Sequence, residues 1–257
     1  MISLQEAESS LESVHHVPVP FGMSRIEINS AIADFVDFIS LPQEQLKRFE
    51  AVRLDPEDRG SYVGYRRRNP EDGKSDDKIY FHYHTLFESL FADAIKETGD
   101  VAERFVSSAR TVCTEARKSL ASVVDLFEPK YPELRERFLS PNSHYFLRFL
   151  AYLRSGKELA KGHYDRGGAT LAIAESVPGL RMGKNEGDLV EVIHEEGKAL
   201  FFGGYELRDR FSPTWHDVVD KGGDYDEQIT RWAIVFFADK QLKKGASHET
   251  LHSRDSY

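Results

Sequence analysis

The sequence predicts an α+β fold in which a double-stranded β-helix, or jelly roll, is buttressed by N-terminal helices. Apolar residues recur at helical spacing in the first half of the chain, and short strand-like segments follow one another in the second half. Glycine-rich or charged turns separate those segments, as is typical of a double-sheet jelly roll. We expect one domain, with a mainly helical part at residues 1–140, the jelly-roll core at residues 141–240 and a polar tail at residues 241–257.

The first part of the chain predicts a loop and then helices of moderate length. The proline-containing residues 1–22 predict a loop with one strand at Val17 to Val19. Ser30 is expected to cap a helix, because a serine side chain can accept a hydrogen bond from the first helical turn. Pro42 suits the start of a second helix, and the segment from Leu86 to Lys96 predicts a third, amphipathic one.

The longest predicted helix begins at Asp100. Asp100 and Glu103 have the spacing of a cap residue and its N3 partner, with aspartate in place of the usual serine or threonine. Pro129 and Pro132 are expected to end this helix. An apolar stripe at helical spacing predicts packing against the outer face of a sheet, and it consists of Val101, Phe105, Val112, Ala116, Leu120, Val123 and Phe127.

Seven short strands are predicted from residue 145 onward, because apolar, β-branched and aromatic residues cluster there between turns. Strands this short and this numerous can build two facing sheets. They are Tyr145–Leu153, Thr170–Ala174, Leu180–Met182, Leu189–Ile193, Leu200–Tyr205, Trp215–Val219 and Ile229–Ala238.

Three residues of the second half form a candidate metal site. His163 and Asp165 stand two apart, so on a β-strand their side chains point to the same face. His216 follows 53 positions later, as expected for a ligand on another strand across one cavity. Two histidines and one carboxylate bind iron in non-heme Fe(II) oxygenases, and these residue types also bind catalytic zinc. The one His-Glu-x-x-His, at residues 248–252, lies in the polar tail and includes none of these three residues, and the sequence contains no Gly-x-Ser-x-Gly, so iron is favoured.

Arg231 adds a candidate anchor for an acidic co-substrate. It comes 15 positions after His216, at the start of a strand-like run that ends at Phe237. Three protein ligands on one face of an octahedral metal leave positions open for a chelating 2-oxo acid and for dioxygen. A guanidinium can bind the far carboxylate of such an acid through paired charge-assisted hydrogen bonds.

Six motifs between Tyr145 and Asp239 carry a resemblance to a known family. They are Arg148-Phe149-Leu150-Ala151-Tyr152, the run from His163 to Leu171, Pro178-Gly179-Leu180-Arg181-Met182, the segment from Gly197 to Leu207, Trp215-His216-Asp217-Val218 and Arg231-Trp232-Ala233. In their order and type they resemble the isopenicillin-N-synthase-like branch of the Fe(II)/2-oxoglutarate-dependent oxygenases. The specific motifs cover the last part of the chain, and the N-terminal half is only generally similar.

The resemblance implies an oxygenase that uses Fe(II) and 2-oxoglutarate to hydroxylate, desaturate or cyclise a small organic molecule. It implies that His163, Asp165 and His216 bind iron, and that Arg231, helped by Tyr152, binds 2-oxoglutarate. Dioxygen is expected as the other co-substrate, with ascorbate as a candidate reductant. We expect no obligate protein partner.

Two departures from the family pattern keep other interpretations open. Ala233 replaces the serine whose hydroxyl joins the arginine in binding 2-oxoglutarate, and Asp217 replaces the arginine after the second histidine. The first departure leaves open an iron-dependent oxidase that does not use 2-oxoglutarate. A non-catalytic jelly-roll binding protein with incidental metal residues is the third interpretation.

Composition favours a soluble cytoplasmic enzyme over a nucleic-acid-binding or membrane protein. A net charge of −9 on 257 residues disfavours a nucleic-acid surface, which needs a basic footprint. No apolar run is long enough to span a membrane, and the first residues show no signal peptide. The single cysteine, Cys113, cannot form an internal disulfide, which fits a reducing compartment, and we expect it to be buried.

The segment before the predicted jelly roll is expected to border the substrate. In the resembling family this segment covers the mouth of the active site, and here it contains Tyr65 and Arg66. An aromatic ring beside a cation suits a small substrate that bears an anionic group. His82 and His84 alternate nearby, and we expect them on an aromatic-lined strand or loop face that contributes to the substrate pocket.

Overall fold

Two antiparallel sheets and a set of helices make up the part of the chain that the structure, a computed structural model, describes. The described residues are 2–55, 61–68, 77–153, 158–222, 225–226 and 228–239. The predicted tail at residues 241–257 lies outside them. Within the described ranges, no helix is long and apolar enough to cross a membrane.

The described α-helices all lie before residue 140, whereas strands lie on both sides of it. The helices are α1 (Leu4–Ser13), α2 (Arg25–Ile39), α3 (Gln43–Leu46), α4 (Phe87–Leu90), α5 (Ala92–Thr98), α6 (Asp100–Phe127) and α7 (Glu133–Leu139). The strands are β1 (Val17–Pro20), β2 (Val52–Arg53), β3 (Tyr62–Arg68), β4 (Lys78–Tyr83), β5 (His144–Leu153), β6 (Glu158–Tyr164), β7 (Ala169–Glu175), β8 (Leu180–Gly183), β9 (Val190–Glu191), β10 (Lys198–Gly203), β11 (Trp215–Val219) and β12 (Ile229–Asp239).

The two sheets face each other across a shared apolar cluster. The larger sheet has the strand order β1-β10-β7-β12-β5-β4-β3-β2, and the smaller one has the order β6-β11-β8-β9. All pairings between these strands are antiparallel. Tyr80, Leu150 and Phe202 of the larger sheet share a buried cluster with Met182 and Val218 of the smaller one. The space between the sheets is therefore walled by side chains from both.

Helices α2 and α6 cover the other face of the larger sheet with fully buried aromatic rings. Phe35 and Phe38 of α2 and Phe105 of α6 pack on Phe81 of β4 and Phe149 of β5, with ring centroids 4.7–5.4 Å apart. Burying a phenylalanine side chain contributes roughly 1.5–3 kcal/mol. These contacts hold the middle of the sheet from behind and leave its inner face free to line a site.

The predicted strands after residue 145 are confirmed to within two residues at each end. β1 is also confirmed, and so is the burial of Cys113 on α6. Strands β2, β3 and β4 were not predicted, and β6 was expected only around His163. β3 contains three consecutive arginines, Arg66 to Arg68, which alternate between the two faces of a paired strand.

Several predictions for the helices are wrong at their boundaries. The loop prediction fails for α1, because Ser3 and Glu6 form a capping box that starts a helix. Helix α2 begins after Ser24, which forms a capping box with Glu27, so Ser30 lies inside the helix.

The region from residue 86 to residue 100 also differs from its prediction. The single helix predicted there is divided at Phe91 into α4 and α5. Gly99, with a φ of 72°, precedes α6 in place of an Asp100 cap, because glycine adopts this conformation without a side-chain clash.

Candidate metal centre and cavity

Two paired strands bring the predicted metal-binding residues together. His163 near the end of β6 is the direct cross-strand partner of His216 on β11. Asp165 follows the last residue of β6. One ligand atom from each of the three residues can be chosen so that all lie within 4.8 Å of one another. One cation with ligand bonds of about 2.0–2.2 Å can bridge such a cluster.

Backbone carbonyls orient both histidines in the same way. His163 Nδ1 lies 2.8 Å from the carbonyl oxygen of Lys161, and His216 Nδ1 lies 3.2 Å from that of Thr214. A carbonyl can only accept, so Nδ1 carries the proton in each ring. The Nε2 lone pairs are then free, and these atoms lie 3.7 and 3.8 Å from Asp165 Oδ1. Hydrogen bonds of this kind fix the tautomer of metal-binding histidines.

Thr170 completes the arrangement around Asp165. Its hydroxyl donates a 2.6 Å hydrogen bond to Asp165 Oδ2, which leaves Oδ1 to face the histidines. Burial alone would raise the pKa of Asp165, but the charges of His216 and His163 and this hydrogen bond bring it below its usual value. Burial, reinforced by the charge of His216, lowers the pKa of His163. Both directions favour the forms that bind a cation, a carboxylate and a neutral imidazole.

These three residues line a cavity of about 460 Å³ between the two sheets. A cavity of this size can hold a small organic molecule. Apolar side chains from both sheets form much of its wall, namely Leu150, Ala172, Leu180, Phe202 and Val218, while Arg231 and Tyr152 line it as well.

Arg231 and Tyr152 are adjacent in the larger sheet, so both could contact one 2-oxoglutarate molecule. They are cross-strand partners on β12 and β5, and the guanidinium carbon lies 5.2 Å from the centroid of the tyrosine ring. Arg231 is only 3% exposed. Its Nη2 donates to Glu175 and its Nε donates to the carbonyl of Val177 at 3.3 Å. Its buried Nη1 has no hydrogen-bond partner among the residues that the structure describes, so one donor is left for a ligand.

Glu175 is a site residue that the sequence does not predict. It lies 56 positions from Arg231 in the chain and reaches it from the neighbouring strand β7. Its Oε1 also lies 3.1 Å from His194 Nδ1, while His194 Nε2 lies 3.1 Å from the carbonyl of Ala172. The ring of His194 thus bridges the carboxylate of Glu175 and the backbone of β7. Burial alone would raise the pKa of Glu175, but His194 and Arg231 bring it below its usual value.

The two departures from the family pattern have different structural outcomes. Ala233 lines the cavity and brings no hydroxyl to it. Asp217 has a partner of its own, because Arg181 on the neighbouring strand donates to both of its carboxylate oxygens at 2.9 and 2.5 Å. The aspartate that replaces the family's arginine at this position is therefore balanced by an ion pair with Arg181.

The structure does not bring Tyr65 or Arg66 to the cavity. Tyr65 is buried in the apolar core that contains the helices, and Arg66 stacks on the ring of Tyr62, 5.0 Å from its centroid. The cations that line the cavity besides Arg231 are Arg68, Lys78, Arg148 and Lys161. Successive residues of a β-strand point to opposite faces of the sheet, so two neighbours in sequence cannot both face the cavity.

His82 and His84 are buried among aromatic rings, as expected, but neither lines the cavity. His82 Nδ1 lies 2.9 Å from the carbonyl of Tyr62, and its Nε2 accepts a hydrogen bond from Arg148. His84 Nε2 lies 3.0 Å from Nδ1 of His144, with the two rings stacked. His82 is therefore connected to the cavity wall by its hydrogen bond with Arg148.

No protein-family model matches this sequence, and no curated protein matches it. Solved structures do. A full-length Neurospora crassa protein in complex with α-KG and thymine superposes with a TM-score of 0.70 at 16% identity, over 92% of this chain and 80% of that one. AtDAO1, a dioxygenase for auxin oxidation from Arabidopsis thaliana in complex with 2-oxoglutarate, gives 0.69 at 18% identity, over 94% and 91%.

A third match carries iron. JOX2 in complex with 2OG, Fe and JA superposes with a TM-score of 0.67 at 17% identity, over 93% of this chain and 72% of that one. At identities this low, the likeness establishes the fold. The chain has the fold of 2-oxoglutarate/Fe(II) oxygenases, the family that the motifs of its second half resemble.

Proposed function

We propose that this protein is an Fe(II)- and 2-oxoglutarate-dependent oxygenase that hydroxylates, desaturates or cyclises a small organic molecule. The observation that carries the proposal is the cluster of His163, Asp165 and His216 on the wall of a cavity that Arg231 also lines. Two imidazoles and one carboxylate with open positions are the ligand set of non-heme Fe(II) oxygenases. In this proposal the two facing sheets are the halves of a double-stranded β-helix.

The proposed roles follow from the free atoms of each residue. His163 and His216 would hold iron through Nε2, and Asp165 would hold it through Oδ1. Arg231 would bind the distal carboxylate of 2-oxoglutarate with its unpartnered Nη1, and the Tyr152 ring would support the guanidinium. When bound, iron and 2-oxoglutarate activate dioxygen and leave succinate as a product.

The cavity walls contribute by excluding water from the reacting groups. Leu150, Phe202 and Val218 present apolar surface between the sheets, next to His216 and Asp165. A dry wall strengthens the electrostatic contacts that orient a charged co-substrate and protects a reactive intermediate from side reactions.

A second candidate function is an iron-dependent oxidase of the same fold that does not use 2-oxoglutarate. Glu175 supports it, because this carboxylate already balances the charge of Arg231. Ala233 supports it too, because the expected hydroxyl is missing from the cavity wall. The unpartnered Nη1 of Arg231 favours the 2-oxoglutarate enzyme, which we therefore place first.

The test is an anaerobic Fe(II) titration followed by an assay of succinate formed from 2-oxoglutarate in air. The parent is compared with His163→Ala, Asp165→Ala and His216→Ala, and with His16→Ala, which alters a histidine outside the cavity. We expect the first three variants to lose iron binding and succinate formation while the melting temperature changes little. The control should retain both activities.

Each alternative predicts a different result in this assay. If all three variants bind iron like the parent, the metal assignment is wrong. Iron binding by the parent without any 2-oxoglutarate-dependent succinate selects the oxidase. A parent protein that binds no iron is the non-catalytic binding protein.

A further inference from the structure

Arg148 is a cation of the cavity whose charge is not matched by an ion pair. It lies on β5, one strand away from Arg231 on β12, and its side chain lines the same cavity. Arg231 is paired with Glu175, whereas no carboxylate among the described residues lies within ion-pair distance of Arg148. Arg148 therefore offers a ligand an unbalanced positive charge, whereas the charge of Arg231 is already balanced by Glu175.

The guanidinium of Arg148 is held in one orientation. Its Nε donates to Nε2 of His82, and that ring is itself fixed by the carbonyl of Tyr62 at 2.9 Å. The guanidinium carbon lies 4.5 Å from the ring centroid of Phe237 and 5.5 Å from that of Tyr80. These contacts leave the two terminal nitrogens of the guanidinium available. A planar guanidinium can bind a carboxylate through two parallel hydrogen bonds.

Burying the positive charge of Arg148 costs free energy, and the neighbouring groups offset this cost only in part. Burial lowers the pKa of Arg148, and the charge of Asp165 offsets only part of that effect. Asp165 is already engaged, because one of its oxygens accepts from Thr170 and the other faces the two histidines. A cation kept in such a place is stabilised when an anionic group arrives.

The charge balance of the cavity wall points the same way. Among the residues that the structure describes, five Lys or Arg side chains line it, whereas two carboxylates do, Asp165 and Glu175. The chain as a whole carries a net charge of −9. A positively charged cavity in an acidic protein favours the entry of an anionic ligand.

We propose that the substrate is a small carboxylic acid and that Arg148 binds its carboxylate. The inference rests on the proposed function, in which Arg231 serves 2-oxoglutarate and the cavity also accommodates the substrate. It differs from the sequence prediction in its residue, because Arg66 lies on β3, outside the cavity wall. The anionic group expected from the sequence is retained, and its partner is Arg148.

The experiment measures binding, so it does not depend on turnover. The probes are phenylacetate, 3-phenylpropionate and cyclohexanecarboxylate, each paired with its primary amide. Their affinities are measured by calorimetry on protein saturated with Zn(II) and 2-oxoglutarate, so that Arg231 is already occupied. The parent is compared with Arg148→Leu and with Arg66→Leu, which removes a cation from the same sheet without touching the cavity wall.

We expect at least one acid to bind the parent and Arg66→Leu roughly 10- to 100-fold more tightly than its amide, as charge-assisted hydrogen bonds allow. Arg148→Leu should reduce that preference to about threefold or less. Equal binding of acids and amides by the parent, no binding of any acid, or a preference that survives in Arg148→Leu would each overturn the proposal.

Two further measurements keep the result clear. The first is 2-oxoglutarate affinity in Zn(II)-loaded Arg148→Leu, because a loss of that affinity as large as the loss in Arg231→Leu would assign Arg148 to the co-substrate and overturn the proposal. A parent that forms no succinate rejects the proposed function, whatever the acids do. If Arg148→Leu does not fold, a crystal structure of the parent with the tightest acid decides, since a carboxylate bound away from Arg148 contradicts the inference.

Discussion

Arg231 and Glu175 form a buried ion pair between adjacent strands at the wall of the cavity. Glu175 also accepts from His194, so its carboxylate is held from two sides. An incoming carboxylate would therefore meet a guanidinium whose charge is already balanced and whose Nη1 alone is unpartnered within the described structure. Affinity for 2-oxoglutarate should then depend on Glu175 as well as on Arg231.

Glu175→Gln should bind 2-oxoglutarate about tenfold more tightly than the parent, because the amide removes a like charge from the binding site. The same variant should be less stable without ligand by about 3 kcal/mol, since Arg231 loses its counter-ion. Adding 2-oxoglutarate should restore part of that loss. Calorimetry with Zn(II)-loaded protein and denaturant unfolding measure the two effects, with Glu191→Gln as an exposed control. Weaker binding by Glu175→Gln would mean that the carboxylate positions Arg231 for its ligand.

Arg231→Leu should weaken 2-oxoglutarate binding by about 100-fold, because a buried carboxylate loses its cation, at a cost of roughly 2–5 kcal/mol. It should also destabilise the fold, since Glu175 is left uncompensated. The double variant Arg231→Leu/Glu175→Leu should regain stability but not binding. An Arg231→Leu protein with unchanged 2-oxoglutarate dependence would favour the oxidase.

Ala233→Ser should leave 2-oxoglutarate affinity unchanged or tighten it by up to about fivefold, which is the effect of one hydrogen bond worth about 1 kcal/mol. Ala233 lies two positions from Arg231 on β12 and faces the same cavity. The Michaelis constant for 2-oxoglutarate measures the change. A weaker affinity would show that the wall at this position has no room for a hydroxyl.

Thr170→Val should lower iron affinity by about 10- to 100-fold, as the loss of partners that orient metal ligands commonly does. Valine has nearly the shape of threonine, so the fold should persist while Asp165 loses the hydrogen bond to Oδ2. Fe(II) titration measures the effect. Thr111→Val is the matched control, because that hydroxyl donates to its own helix at the surface. Equal iron binding by both variants would remove Thr170 from the site.

His84 should make the fold less stable in mild acid. Burial, helped by the nearby His144, lowers the pKa of His84 to about 3, while an unfolded histidine titrates near 6.5. The unfolded chain therefore takes up a proton below pH 6.5 that the folded protein does not, and stability falls as pH falls. Between pH 5.5 and 4.5 the loss should be about 1.4 kcal/mol per pH unit.

Denaturant unfolding of the parent and of His84→Gln across this range tests the slope. The glutamine variant should lack this part of the pH dependence, whatever its stability at pH 7. Parallel curves for the two proteins would show that His84 is protonated in the fold. In the structure its Nδ1 accepts from the backbone N–H of Leu86, which protonation would prevent.

The clustering of His163 with Asp165 could be predicted because strand geometry makes these two residues a local pattern. Residues two apart on a strand share a face, so His163 and Asp165 pointed to one ion before any pairing was known. Glu175 and Arg148 could not be predicted in the same way. Their roles depend on which strands are neighbours in the sheet, as Arg231 shows by meeting a residue 56 positions away.

The same limit explains why Tyr65 and Arg66 do not line the cavity. Tyr65 and Arg66 stand beside each other in a strand, so they point to opposite faces, and Arg68 is the member of that strand that lines the cavity. The helix boundaries failed for a different reason. Ser24 and Ser30 are both suitable caps in sequence, and only the completed capping box with Glu27 distinguishes them.

The direct pairing of His163 with His216 has a consequence for how the proposed site would take up a metal ion. Their separation is set by the hydrogen-bonded spacing of β6 and β11, so the two imidazoles are held in place by the sheet itself. Loading should therefore involve little reorganisation, unlike a zinc finger, whose chain folds only around its ion. Divalent ions of similar size should therefore exchange at this site. The concentration of each metal ion in the cell would then decide which one occupies it.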